Sequence, residues 1–250
     1  MAKTERKMRR FGLLGKNISY SFSEGYFAKK FEELGLLDHS YENFDLQDIR
    51  EFSSVLAQDY LTGLNVTIPY KQAVIPFLDE LDPKAEKIGA VNTIQFSPSG
   101  LKGFNTDAYG FQKSLEPYLR PHHKNALILG TGGASKAIRF VLNELGIANT
   151  FVSRHKKQNQ YTYEELNEQV IKDNQLIINC TPLGTYPDIE DKPKLPYKHI
   201  GAGHLLYDLI YNPEKTAFLS KGESQGATIC NGLKMLEGQA EKAWEIWNNA

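Results

Sequence analysis

Short apolar runs alternate with amphipathic stretches along almost the whole chain. Over the first hundred residues they fall at 10–14, 22–36, 41–44, 49–57, 61–68, 72–81, 90–96 and 101–104. Runs of period two predict strands and longer runs of helical period predict helices, so this alternation describes a layered α/β unit. The segment 72–81 is read as the helix that follows a strand ending at Pro69. Ser97-Pro98-Ser99-Gly100 sits between two strand-like runs and carries the turn residues of a hairpin, which makes part of this sheet antiparallel.

A helical pattern at 107–119 with Tyr109, Phe111, Leu115 and Leu119 at rough helical spacing is broken by Pro121, and it bridges to a second pattern. There Asn125-Ala126-Leu127-Ile128-Leu129 is a continuous apolar run, as a strand buried on both faces requires, and glycines and a helix at 134–145 follow at once. Strands at 150–153, 175–179, 205–208 and 226–229 and a helix at 215–221 continue a doubly wound series. The stretch 232–247 is a helix whose apolar stripe of Leu233, Leu236, Ala240, Ala243 and Trp247 suits packing against another layer, and Trp244 is read with it. The predicted fold is α/β: an N-terminal mixed-sheet α/β substrate domain, 1–106, with the helix 233–250 returning to pack on it. The C-terminal domain, 107–232, is a doubly wound, Rossmann-like dinucleotide-binding domain.

Composition narrows the function classes. At 250 residues the chain suits two domains, and 41% hydrophobic with 24% charged residues marks a folded globular protein. A net charge of -1 lacks the uncompensated basic surface that phosphate backbones need, so no nucleic-acid partner is expected. The basic start, 3–10, has no apolar core of a targeting peptide, and no apolar run approaches the ~20 residues of a membrane span, so the cytoplasm is the expected location. Cys180 and Cys230 stand far apart without ligand-spaced neighbours, so no metal is expected and both read as buried structural thiols. His39, His122, His123, His199 and His204 likewise lack partners at metal or triad spacing and read as surface or loop residues.

Gly130-Thr131-Gly132-Gly133-Ala134-Ser135 lies between the buried strand and its helix. Glycines there let backbone N–H groups approach a pyrophosphate at a helix N-terminus. Ser135 stands in place of the third glycine, and a purely structural turn is the alternative. About 20 residues on, where an acid would hold the ribose of NAD, the strand instead ends in Ser153-Arg154-His155-Lys156-Lys157. Arginine stacks on adenine and pairs with a 2′-phosphate, so Arg154 predicts NADP, with His155 and Lys156 as lesser contributors. A solvated basic loop is the alternative, and it fits Lys156 and Lys157 better than Arg154.

In the first domain, Asn65-Val66-Thr67-Ile68-Pro69-Tyr70-Lys71, Ala90-Val91-Asn92-Thr93 and Gly103-Phe104-Asn105-Thr106-Asp107 bring amides, hydroxyls, a lysine and a carboxylate to strand termini. That set suits a polyhydroxylated acid. These blocks, with Ser21-Phe22-Ser23, resemble the signature blocks of the shikimate dehydrogenase family. GTGGAS, INCTPLG and NGLKMLEGQA continue the resemblance over nearly the whole chain, and several unrelated blocks in one order are far more specific than any single motif.

The resemblance implies reversible NADPH-dependent reduction of 3-dehydroshikimate to shikimate, on the route to chorismate and the aromatic amino acids, by a monomer or homodimer. It implies Lys71 and Asp107 as catalytic residues and Ser21, Ser23, Asn65, Thr67, Asn92, Tyr211 and Gln239 as substrate ligands. For the cofactor it implies Gly130, Gly132, Gly133, Ala134, Ser153, Arg154 and His155, with Asn179, Thr181, Leu209, Gly232 and Met235 at the nicotinamide half. An ordinary lysine is a poor base, so charge stabilisation by Lys71 is expected to outweigh proton transfer, with Asp107 fixing the ammonium. Asp107 also suits a helix N-cap, and both roles can coexist. Two positions depart from the blocks: Glu24 replaces the proline after Ser-x-Ser, and Ala108 the glycine after Asn-Thr-Asp. Glu24 brings a carboxylate beside the serines expected to hold another, which is unfavourable unless its side chain turns away. An NAD-linked quinate/shikimate enzyme and a non-catalytic metabolite-binding relative are the two rival readings.

Overall fold

The computed structural model describes residues 8–19 and 21–249. They form two compact units, one running to Thr106 and taking in the residues from Ala240 onward, the other Asp107–Gln239.

The first unit contains β1 (Arg9–Gly15), α1 (Phe22–Glu33), β2 (His39–Asp45), α2 (Phe52–Leu56), β3 (Leu61–Val66), β4 (Glu80–Leu81), α3 (Pro83–Ile88), β5 (Thr93–Ser97) and β6 (Gly100–Phe104). Its six-stranded sheet has the order β2-β1-β3-β5-β6-β4. The β1–β2 and β1–β3 pairs are parallel, and β5 runs antiparallel to both β3 and β6. The sheet is therefore mixed, and Ser97↔Gly100 closes the hairpin. Alternate residues of β1 point to opposite faces. Leu14 joins a core with Phe44, Phe52, Leu64 and Val74, while Phe11 and Leu13 join Phe27, Phe31, Tyr41, Ala240, Ala243 and Trp247. Trp247 lies so close to β3 that a Cβ on Gly63 would collide with its indole nitrogen, so glycine is required there.

The segment 72–81 is not a helix. Pro76 would stand inside it without an N–H and against the carbonyl one turn back, and the chain instead makes turns, a 3-10 turn at Ile75–Phe77 and β4. The pattern reading also passed over α3, whose Asp82 cap, Pro83 in the first turn and left-handed Gly89 (φ 67°) are the usual start and stop signals of a short helix.

The second unit contains α4 (Asp107–Leu115), β7 (Asn125–Leu129), α5 (Gly133–Glu144), β8 (Ala148–Ser153), β9 (Tyr161–Thr162), α6 (Glu168–Asp173), β10 (Leu176–Asn179), β11 (Leu205–Asp208), α7 (Ala217–Glu223) and β12 (Thr228–Cys230), and α8 (Leu233–Asn248) begins in it. Beyond Leu115 the helix predicted to 119 tightens to a 3-10 turn at Glu116–Tyr118, with Pro117 in that turn. The last strand begins two residues later than the pattern suggested and ends one later. All pairings in this sheet are parallel, in the order β12-β11-β10-β7-β8-β9. The strand order reverses between β7 and β10, and in doubly wound sheets ligands bind beyond the strand ends at that switch point.

Candidate active site

In the first unit, register gathers the polar strand ends into one row. Asn65 pairs with Thr93 across β3 and β5, and Thr93 with Phe104 across β5 and β6. The amide of Asn92, 2% exposed, is then tied to the chain that follows β6. Its Oδ1 accepts from the Thr106 N–H at 2.6 Å and its Nδ2 donates to Thr106 Oγ1 at 3.0 Å. Thr93 Oγ1 lies 3.2 Å from Thr106 Oγ1. This clasp fixes the backbone entering α4, where Asp107 is the first helical residue and is buried. A carboxylate there is favoured by the helix dipole. Asn105 is held separately, its Nδ2 donating to Ala90 O at 2.9 Å.

Asn65 is buried too. Its Oδ1 accepts from the Tyr41 hydroxyl at 2.8 Å, and its Nδ2 lies 3.3 Å from both Asn92 O and Thr93 Oγ1. Thr67 follows β3, its N–H donating to Leu14 O at 2.8 Å. Lys71 is half-buried one turn later, and its carbonyl accepts from Val91 N at 2.7 Å. Ser21 caps α1, its Oγ accepting from the Ser23 N–H at 3.1 Å, so its own hydroxyl proton is left to donate elsewhere. Glu24 is exposed and turned onto β2, where its Oε2 accepts from Asn43 Nδ2 at 2.6 Å. The carboxylate beside the serines is thus engaged by a neutral amide.

In the second unit the glycine loop sits at the switch point. Gly130 has φ 99°, and a Cβ there would also press on Thr181 and the Cys180 carbonyl at 3.1–3.2 Å. Gly132 precedes α5 with no side-chain cap and nothing within 4 Å of where its Cβ would stand. Open space beside uncapped helix N–H groups fits a pyrophosphate. Ser135, in the third-glycine position, is buried with its Oγ donating to Gly132 O at 2.7 Å, so it closes the turn from within. At the end of β8, Ser153 Oγ donates to the His155 carbonyl at 2.5 Å, holding the turn on which Arg154 and His155 are exposed. Lys156 pairs with Glu165 at 2.5 Å, leaving Arg154 as the better phosphate partner. Ala134 lies half-buried in the first turn of α5.

The strand ends beyond β10 and β11 are joined through a buried carboxylate that the sequence reading passed over. Asp208 Oδ1 accepts from Asn179 Nδ2 at 3.0 Å and from Ile210 N at 3.1 Å, and its Oδ2 accepts from Thr216 Oγ1 at 2.6 Å. Asn179 Oδ1 in turn accepts from the N–H and the hydroxyl of Thr181 at 3.0 and 2.7 Å. Burial pushes the Asp208 carboxyl up to about 6 against these three bonds, which pull it down. Leu209 is anchored by its N–H on Asn179 O and Gly232 by its N–H on Ile210 O, both at 3.0 Å. Met235 and Gln239 are buried on α8, and Tyr211 is half-buried.

One histidine departs from expectation: His39 opens β2 with its side chain largely covered, whereas His123 and His204 stand in loops, though buried, with Nδ1 accepting from Arg120 N and Gly201 N at 3.1 and 3.0 Å. Cys230 is buried and Cys180 half-buried, and desolvation raises both thiols, Cys230 to about 11.

A model of the shikimate dehydrogenase substrate binding domain matches residues 13–94. Shikimate dehydrogenase (NADP(+)) of Methanosphaera stadtmanae is 38% identical over 255 residues, covering 94% of this chain and 90% of that protein. The corresponding enzyme of Clostridium beijerinckii is 39% identical over 252 residues, covering 95% and 91%. The chain belongs to the shikimate dehydrogenase family. A crystal structure of shikimate 5-dehydrogenase from Thermus thermophilus in complex with NADP(H) and shikimate matches with TM-score 0.85 at 32% identity, over 97% of this chain and 94% of that one. The parallel sheet lies outside the matched domain model but inside the stretch these shikimate dehydrogenases cover. Of the two departures from the family blocks, Glu24 is turned onto Asn43, and Ala108 is buried in the first turn of α4, where its methyl is accommodated.

Proposed function

We propose that the chain catalyses the reversible NADPH-dependent reduction of 3-dehydroshikimate to shikimate, in the cytoplasm, as a step towards chorismate and the aromatic amino acids. The observation that carries this reading is the likeness to NADP-linked shikimate dehydrogenases over more than nine-tenths of the chain, with Lys71 and the buried Asp107 standing in the blocks that resemble the family's. The first unit is read as the substrate-binding domain and the second as the NADP-binding domain.

When bound, NADPH supplies the hydride, and one proton balances the reaction: 3-dehydroshikimate, NADPH and H⁺ give shikimate and NADP⁺. The chain's own groups hold the reactants and manage that proton. Lys71 presents an ammonium to the oxygen that becomes an alkoxide, stabilising its charge and donating the proton. Asp107 accepts a hydrogen bond from a substrate hydroxyl and fixes orientation, with no net proton transferred to it. Ser21, Ser23 and Thr67 supply hydroxyls, and Asn65, Asn92, Tyr211 and Gln239 the remaining polar contacts to a carboxylate and ring hydroxyls. Gly130, Gly132, Gly133 and Ala134 line the pyrophosphate turn. Ser153, Arg154 and His155 take the 2′-phosphate side, and Asn179, Thr181, Leu209, Gly232 and Met235 shape the nicotinamide end.

Absorbance of NADPH with 3-dehydroshikimate, then of NADP with shikimate and with quinate, tests the reading. Turnover with the first two pairs and little with quinate is expected. Preference for NAD and quinate would replace the substrate and cofactor assignment, and no turnover with any pair would leave a metabolite-binding relative.

A further inference from the structure

Tyr41 stands on β2, an edge strand that none of the signature blocks includes, yet its hydroxyl touches two residues assigned to the substrate. It donates to Asn65 Oδ1 at 2.8 Å, and the Ser23 side chain hydrogen-bonds the phenol. All three residues are buried, and the Tyr41 ring is stacked on Phe27 with centroids 4.6 Å apart and planes within 11°. The chemistry of Asn65 makes this bond directional. Asn92 O can only accept, so the amide nitrogen must face it, and the carbonyl oxygen is then left to face Tyr41. Burial pushes the phenol up, opposed by the Ser23 bond and reinforced by the charge of Glu24, so its proton stays in place to donate at any physiological pH.

We propose that Tyr41 is a positioning residue for the substrate site, its hydroxyl locking Asn65 in one amide orientation and joining it to Ser23 at the start of α1. The inference rests on the substrate assignment of Ser23 and Asn65 made above. Without the hydroxyl, the buried Asn65 oxygen has lost its donor and Ser23 its partner, and the 3.3 Å contacts of the amide nitrogen are too long to hold the group against rotation. Hydrogen-bond chains of this kind act as a unit, so the loss falls on both ends together.

Tyr41→Phe keeps the ring and its stack on Phe27 and removes only the hydroxyl. The Michaelis constant for shikimate is expected to rise roughly tenfold, as for the loss of about one net hydrogen bond, while that for NADP stays within about twofold. In an Asn65→Ala background the same change should have almost no further effect on the shikimate constant, because positioning through an absent amide does nothing. If that background fails to fold by circular dichroism, Asn65→Leu, which removes the amide but keeps its volume, replaces it. A lower melting temperature with an unchanged shikimate constant, or a full additive effect in the background variant, would overturn the proposal. Failure of the wild-type enzyme to oxidise shikimate would instead strike the functional reading on which it rests.

Discussion

Across the strand ends of the first unit runs a network of buried neutral groups, two amides, two threonine hydroxyls and a phenol, each bonded to another. At the strand ends of the second unit the same task of holding loops in place is given to a buried carboxylate, with Asn179, Thr216 and Ile210 N around it. Both arrangements satisfy their buried groups, but they differ in what acidity does to them. The neutral network has nothing to titrate in the ordinary range. The second carries a carboxyl pushed up to about 6 by burial, so its charge is costly and its protonation state changes within reach of experiment. The geometry of the neutral row should therefore stay constant where that around Asp208 responds to pH.

The largest effect belongs to a charge that stands outside the neutral network. Lys71→Ala should lower the turnover number by roughly two to four orders of magnitude, the usual contribution of a positioned acid, with little change in the Michaelis constant for shikimate. Steady-state kinetics at saturating NADPH measure both. Near-normal turnover would remove Lys71 from the chemistry and leave the first unit purely a binding device.

Asp208→Asn tests the charged network. The folded-state carboxyl is raised above its ordinary value of 3.8, so the folded chain binds the proton more tightly than the unfolded chain. The stability this group contributes is present below about pH 4, declines as pH rises to about 6, and is level above. A rise of about two units corresponds to roughly 3 kcal/mol at about 1.4 kcal/mol per unit. Relative to wild type, the variant should gain stability by up to that order between pH 4 and 6 and no more beyond. Urea unfolding of both proteins at pH 4.5 and 7 reads the difference, and parallel pH dependences would show that the buried carboxylate is not titrating. Comparing the pair isolates Asp208 from carboxyls held low in the fold, such as Asp48 beside Arg50, which act in the opposite sense.

The same contrast explains what could be read without coordinates. The parallel sheet was legible because doubly buried strands are written as continuous apolar runs, and the glycine turn because its partners are its own neighbours. Lys71 and Asp107 stand in contiguous blocks, so pattern and resemblance both reach them. Tyr41 and Asp208 do not: Tyr41 bonds Asn65, 24 residues away, and Asp208 bonds Asn179, 29 residues away. Tyr41 reads as one apolar position in a strand and Asp208 as the last residue of another, and only register shows what each holds. The missing helix at 72–81 has a local cause that was visible, Pro76, as were the caps of α3.

Smaller effects refine the comparison at its surface. Arg154 is exposed on a turn braced by Ser153, while its neighbour Lys156 is paired with Glu165. Arg154→Ala should raise the Michaelis constant for NADP roughly tenfold and leave that for NAD nearly unchanged, since a phosphate contact on an exposed turn contributes about one charge-assisted hydrogen bond. Equal losses with both cofactors would move phosphate recognition away from this turn.

The smallest effect is expected at Glu24, and it bears on whether the neutral network really is insulated from charge. The carboxylate accepts from Asn43 Nδ2 at 2.6 Å on the exposed side of β2, where solvent screens it from the serines at the start of α1. Glu24→Gln keeps a hydrogen-bonding group for Asn43 and removes the charge. The shikimate constant should then change by less than about twofold, and it should do so equally at low and high salt, because an exposed charge is already screened. A marked tightening of shikimate binding in the variant, fading as salt is added, would show that Glu24 repels the substrate carboxylate after all. The serine pair would then operate against a nearby charge, and the first unit's insulation from electrostatics would hold only for its buried row.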